Sequence, residues 1–172
     1  MEANPLSSES STPRLPEKEC KPGVAFANTS ALLRYLYADL SRISSISAES
    51  IILHAADRAL TYPPKPAIRG RAAVQAHEEA LIAATGGTLL MDVESITANE
   101  HFGTVLGMLR AKVANSEESL AVPFCGVWRF QGGQAVEHWE NASNVEEFMH
   151  YAVKNESAMK AGVRVSNISS AL

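Results

Sequence analysis

The sequence predicts an α+β domain built around an antiparallel sheet, and three observations carry that prediction. Helical periodicity is concentrated before Gly87, four strand-like segments follow it, and short turn sequences join those segments. Of the 172 residues, 46% are hydrophobic, which is enough for one ordinary core. Residues 1–28, rich in Ser, Pro and Glu, read as a disordered leader; residues 29–155 form the domain, and 156–172 a small, polar C-terminal extension.

The first helix is expected to begin at Thr29 or Ser30, either of which can cap it. Leu32, Leu33, Leu36, Tyr37 and Leu40 then recur at i, i+3, i+4 spacing, one apolar stripe running to about Ile43. Ser47 reads as the cap of a second short helix carrying Ile51, Ile52 and Ala55. Residues 59–62 read as a short strand, stopped by Pro63-Pro64 and Pro66. Gly70 precedes a third helix with Ala72, Ala73, Val74, Ala76, Ala80, Leu81 and Ile82 as its apolar side, ending at Gly86-Gly87. Strands are expected near 88–98, 101–114, 119–131 and 134–142, the last two joined by the hairpin turn Gly132-Gly133. A last helix runs from Val145 to Tyr151 or beyond.

A net charge of -4 argues against nucleic acid or an anionic membrane surface as partner, since both need a basic face. The start lacks a signal-peptide pattern and no later apolar run could span a bilayer, so the cytoplasm is the expected compartment. Cys20 lies in the leader and Cys125 in an apolar strand, which gives no reason for a disulfide. His54, His77, His101, His138 and His150 show no metal-ligand spacing, and no glycine-rich phosphate loop is present. Neither a metal nor another cofactor is expected.

Helices first, Asp57 and Tyr62-Pro63 between them, Gly70-Arg71 opening a helix, then four strands: this order resembles the nuclear transport factor 2-like superfamily. The hairpin from Trp128-Arg129-Phe130 through Gly132-Gly133 to Glu137-His138-Trp139-Glu140 most resembles the SnoaL-like polyketide cyclase branch. The resemblance covers residues 30–152 and implies a cone-shaped, curved antiparallel sheet wrapped around helices, with a pocket between the layers and a homodimer as the usual assembly. Members include cofactor-free cyclases, isomerases, dehydratases and epoxide hydrolases, together with non-catalytic binding modules, so the fold alone does not fix the function.

Strand alternation puts His138 and Glu140 on one face of the last strand, and Glu137, Trp139 and Asn141 on the other. The resemblance makes Glu140 the general acid/base, a role that a carboxylate in an apolar pocket can fill, with His138 as its neighbour. On the third helix, His77 or Glu78 can turn into the cavity; the apolar residues bracketing His77 favour it. Tyr35 matches the position of an oxyanion-holding tyrosine in ketosteroid isomerases, whereas Tyr37 fits the apolar stripe better. Tyr62 and Gly126 stand where those isomerases carry two aspartates: Tyr62 could orient a carbonyl, and Gly126 would leave the pocket locally enlarged. Trp128 and Phe124 are expected as pocket walls, and Arg110 binds an anion if it points inward and is a solvated charge if it does not.

The function expected is a cofactor-free cyclase or isomerase acting by acid/base catalysis on a small hydrophobic secondary-metabolite intermediate. The alternatives are a binding or dimerisation module of the same fold, a dehydratase, or an epoxide hydrolase.

Overall fold

The computed structural model describes residues 27–59, 63–112, 118–144, 146–147, 150, 151, 154 and 157. Residues 1–26 of the expected leader, almost all of the C-terminal extension, and Leu60, Thr61 and Tyr62 lie outside these residues.

Helix α1 spans Thr29–Tyr37, and its cap is Asn28, whose side chain accepts the Ala31 N–H. Leu32, Leu33, Leu36 and Tyr37 form its buried stripe, as their spacing predicts. A single 3-10 turn, Leu40–Arg42, and the short helix α2, Ile43–Ile46, redirect the chain. The expected second helix is instead strand β1, Ser47–His54. Ile51 and Leu53 are fully buried while Ile52 and His54 are partly exposed, so period two, not 3.6, governs this segment. Ser47 caps nothing: its hydroxyl donates back to the carbonyl of Ile43. A short helix α3, Ala56–Ala59, follows, which replaces the beginning of the strand expected at 59–62. Strand β2 is Ile68–Arg69, and α4 runs Arg71–Ala84.

The four later strands match their expected positions closely: β3 Leu90–Ala98, β4 Phe102–Lys112, β5 Ser119–Gln131 and β6 Gln134–Ala142. Gly132 and Gly133 take φ of 57° and 75°, the left-handed pair that a two-residue hairpin requires. Glu146, Glu147, His150 and Tyr151 are helical, in keeping with the last expected helix.

The six strands form one sheet in the order β2-β1-β6-β5-β4-β3. All pairings are antiparallel except β1 with β6, which is parallel. Register shifts between Val93 and Ser95 and between Arg129 and Phe130 mark irregularities of the kind that bend strands, and the sheet curves around the helices. One face carries Ile51, Leu53, Val105, Leu109, Val122, Phe124, Trp128 and Ala135 into the core beneath α1 and α4. The other face leaves Leu90, Phe102, Leu106 and Val127 exposed. Among the described residues, no helix is long and apolar enough to cross a membrane.

Candidate active site

Between the curved sheet and α4 lies a cavity of about 350 Å³, a size suited to a small organic molecule. Leu40, Leu81, Ala84, Met91, Leu109 and Phe124 make it largely apolar. Its polar side chains include Tyr37 from α1, Asp57 from α3, His77 and Glu78 from α4, and His138, Glu140 and Asn141 from β6.

Strand β6 supplies the site as alternation predicts. Glu140 faces the cavity opposite Gly126 of β5, and His138 lies opposite Trp128. On the other face Glu137 receives hydrogen bonds from Arg129 Nη2 at 2.6 Å and Nε at 3.0 Å and contacts His54 Nε2 at 2.8 Å, while Trp139 stacks on His54. Hydrogen bonding to His54, and then to Arg129, holds Glu137 ionised below the ordinary carboxylate range. This outer cluster consumes one acid of the Glu-His-Trp-Glu run and leaves the other free to face the cavity.

Glu140 keeps 22% side-chain exposure and its Oε2 accepts the Ala56 N–H at 3.4 Å. His77 Nε2 stands 3.8 Å from the same oxygen. Burial works to raise the Glu140 carboxyl, but polar contact with His77 and the nearby imidazole of His138 outweigh it, so Glu140 stays ionised. Reciprocally, Glu140 raises His77 above the ordinary histidine range against the effect of its burial. Glu78 behaves in the opposite way. It is only 1% exposed, and burial together with the charge and hydrogen bonding of Glu140 pushes its carboxyl well above the usual range, so it holds a proton. The two adjacent helical positions, expected to compete for the cavity, both reach it: His77 from its rim and Glu78 from its floor.

His138 is buried with its ring stacked 3.5 Å from Trp128 at 12°, and neither ring nitrogen has a hydrogen-bond partner. Burial drives its pKa down to about 4, so it is neutral near pH 7. One oxygen of Glu78 is likewise unpartnered. Donor atoms of Glu78, His138 and Glu140 lie within 4.8 Å of one another, a cluster that residue spacing along the chain does not reveal. This spread could admit a metal ion. However, a metal-ligating histidine ordinarily donates its second nitrogen to an acceptor, and His138 has none. The arrangement fits proton transfer better.

Several expected site residues stand elsewhere. Tyr35 lies under the Arg42 guanidinium, 4.6 Å from ring centroid to Cζ, outside the cavity; Tyr37, on the buried stripe, is the tyrosine that lines it. Arg110 points to the outer face, its Nε 3.3 Å from Asp92 Oδ2 with about half of each side chain exposed, so it binds nothing in the cavity. Trp128 is fully buried and backs His138 instead of forming a wall, while Phe124 does line the cavity, stacked on Tyr37 at 5.5 Å. Tyr62 lies outside the described residues. Gly126 does not enlarge the pocket: the Tyr37 hydroxyl occupies the place of its missing Cβ, and there accepts a hydrogen bond from Trp128 Nε1 at 3.1 Å.

Glu78 was legible in one respect. Val74, Glu78, Leu81 and Thr85 follow i, i+4, i+7, i+11 spacing, and Val74, Glu78 and Thr85 are all buried.

A family model for the SnoaL-like domain matches residues 36–138. No curated protein sequence matches the chain. Solved structures similar to it include a SnoaL-like polyketide cyclase, by provisional assignment, from Jannaschia sp. CCS1, with TM-score 0.57 and 14% identity over 78% of this chain and 98% of that one. IdmH from Streptomyces antibioticus, also a polyketide cyclase by provisional assignment, gives TM-score 0.56 and 17% identity over 67% and 92%. Bal32a, from a soil-derived mobile gene cassette, gives TM-score 0.56 and 19% identity over 73% and 92%. At these identities the likeness is one of fold.

Proposed function

Because the chain belongs to the SnoaL-like domain family, we propose that it is a cofactor-free cyclase or isomerase in which Glu140 moves a proton at a carbon atom of a small hydrophobic substrate. The observation that carries this reading is an ionised, partly accessible carboxylate inside a largely apolar cavity, held by His77 and the Ala56 N–H. Held ionised by these contacts, the carboxylate is available to take a proton from a carbon acid near neutral pH. His77 offsets the charge of Glu140 at rest. Tyr37 accepts from Trp128 and so keeps its own O–H to hold a substrate oxygen, the role expected of Tyr35 or Tyr62. The apolar wall of Leu81, Ala84 and Met91 accommodates the hydrocarbon remainder and folds it toward the acid/base group.

The test uses β-tetralone, a neutral enolisable ketone small enough for the cavity. Wild-type protein in heavy water should catalyse deuterium exchange beside the carbonyl, followed by proton NMR. Glu140→Gln, nearly isosteric but unable to take a proton, should slow exchange at least about 100-fold. Exchange at the wild-type rate in this variant removes Glu140 as the base. Binding of β-tetralone without any exchange in the wild type favours the binding-module reading instead.

A further inference from the structure

Proton transfer by Glu140 leaves the buried carboxyl of Glu78 without a role. Glu78 sits on the floor of the same cavity, next to Glu140, with one oxygen lacking any hydrogen-bond partner. Burying a carboxyl group without full hydrogen bonding is costly, and an apolar residue at this position of α4 would pack without that penalty. A carboxyl oxygen of Glu78 belongs to a group of atoms, with Glu140 and His138, gathered within 4.8 Å. We propose that Glu78 is a second catalytic residue, the proton donor to the substrate's oxygen, and that the Glu78–Glu140 pair selects neutral ketones whose carbonyl oxygen and acidic C–H lie on one edge. This rests on Glu140 being the base.

The step balances without any further reagent. Glu140 takes the proton from the carbon beside the carbonyl, and the C–H electron pair becomes the C=C bond of an enol. The carbonyl π pair moves to oxygen, which takes the proton of Glu78. Negative charge thereby leaves Glu140 and appears on Glu78, so the pair carries one charge before and after. No new charge is created in an apolar cavity, which is where charge separation costs most. In the return step Glu140 gives its proton back to that carbon, or to the far carbon of a conjugated dienol, as the carbonyl re-forms and Glu78 takes back the O–H proton; both groups are then reset. Tyr37 cannot replace Glu78 as the donor, because burial pushes its phenol further above an already high range. It holds the oxygen while Glu78 protonates it.

Two consequences follow from the placement. Glu140 both removes and returns the proton at carbon, so both transfers occur on one face of the substrate. A carboxylate substrate is disfavoured, because it would bring a second negative charge beside Glu140, where His77 is already engaged.

The test is base-promoted ring opening of substituted benzisoxazoles. One C–H proton goes to the base, the N–O bond breaks with its electron pair to oxygen, and a phenol and a nitrile form. A series with leaving groups of graded acidity shows whether a proton reaches that oxygen. With Glu78 donating, the wild-type rate should depend only weakly on leaving-group acidity. Glu78→Gln keeps a neutral side chain of similar shape but has no proton to give. It should lose about 100-fold in kcat on the poorest leaving groups, with KM little changed, and show a steeper slope. A purely structural role would lower all rates alike, so an unchanged slope overturns the proposal. Independently of any variant, a wild-type slope as steep as that of acetate ion in an apolar solvent also overturns it. Exchange of β-tetralone together with such a steep benzisoxazole slope removes Glu78 alone, and failure of both probes removes Glu140 as well.

Discussion

Gly126→Ala should be severely destabilising, although glycine-to-alanine changes in strands with free space usually stabilise by about 0.5–1 kcal/mol. An added Cβ would collide with the Tyr37 hydroxyl and stand 3.2 Å from both Trp128 Nε1 and His138 Nε2. Tyr37 has nowhere to retreat: it is buried, stacked on Phe124 and packed edge-on against Trp128. Overpacking of this kind costs about 1–3 kcal/mol. Breaking the Trp128–Tyr37 hydrogen bond in a dry interior adds roughly 1–3 kcal/mol, for a combined loss of about 3–4 kcal/mol. Tyr37→Phe alone removes the hydroxyl and orphans the Trp128 N–H, at a cost of roughly 2 kcal/mol. In the double variant the collision is gone, so its loss should be close to that of Tyr37→Phe. Urea unfolding of the four proteins at neutral pH closes the cycle, with an expected coupling of about 3–4 kcal/mol. Additivity within about 0.5 kcal/mol would refute the close approach of Tyr37 to Gly126.

His138→Phe keeps the stack on Trp128 and removes two unpartnered ring nitrogens, so at pH 7 the variant should be as stable as the wild type or about 1 kcal/mol more so, by urea unfolding. The same pair gives a pH signature. Because His138 titrates near 4 when folded against 6.5 when free, the unfolded chain binds more protons between these values. Wild-type stability should therefore fall relative to His138→Phe as pH drops from 6.5 toward 4, by about 3 kcal/mol in all. Taking the difference suppresses the titration of Glu78, Glu140, His77, His54, Asp57 and Tyr37 around it, and a flat difference would show that His138 is hydrated. The homodimer expected from the family resemblance would use the outer sheet face, where Phe102 and Leu106 are exposed; Leu106→Lys should then yield monomers in analytical ultracentrifugation, and a wild type that is already monomeric removes the expectation.

The later strands were readable because each is long, alternates inside and outside, and ends in residues that only turn. Segment 47–54 was not, since Ile51, Ile52 and Ala55 behind Ser47 satisfy a short helix as well as a strand. Its state is decided by pairing with β2 and β6, and neither partner is near it in sequence. The face of β6 was legible for the same reason as the strands. Glu78 was obscured by Gln75 and Glu79, which make its side of α4 look solvated, and only packing against the sheet reveals that a carboxyl is buried there. Tyr37 followed from helical spacing alone, whereas positional analogy pointed to Tyr35. No sequence pattern could show that the hydroxyl of Tyr37 fills the space above Gly126, because the two are brought together from α1 and β5.

The parallel pairing of β1 with β6 joins the first strand to the last: His54 meets Glu137 across 83 residues. Strands β3 to β6 can zip as neighbouring hairpins while β1 waits for its partner. Closing so long a loop is a slow event, and the cavity floor and its β6 wall remain separate until it happens. During synthesis, Glu78 and Glu140 would therefore meet only after β6 has left the ribosome, and pulsed hydrogen exchange should find β1 protected after the β4–β5 hairpin.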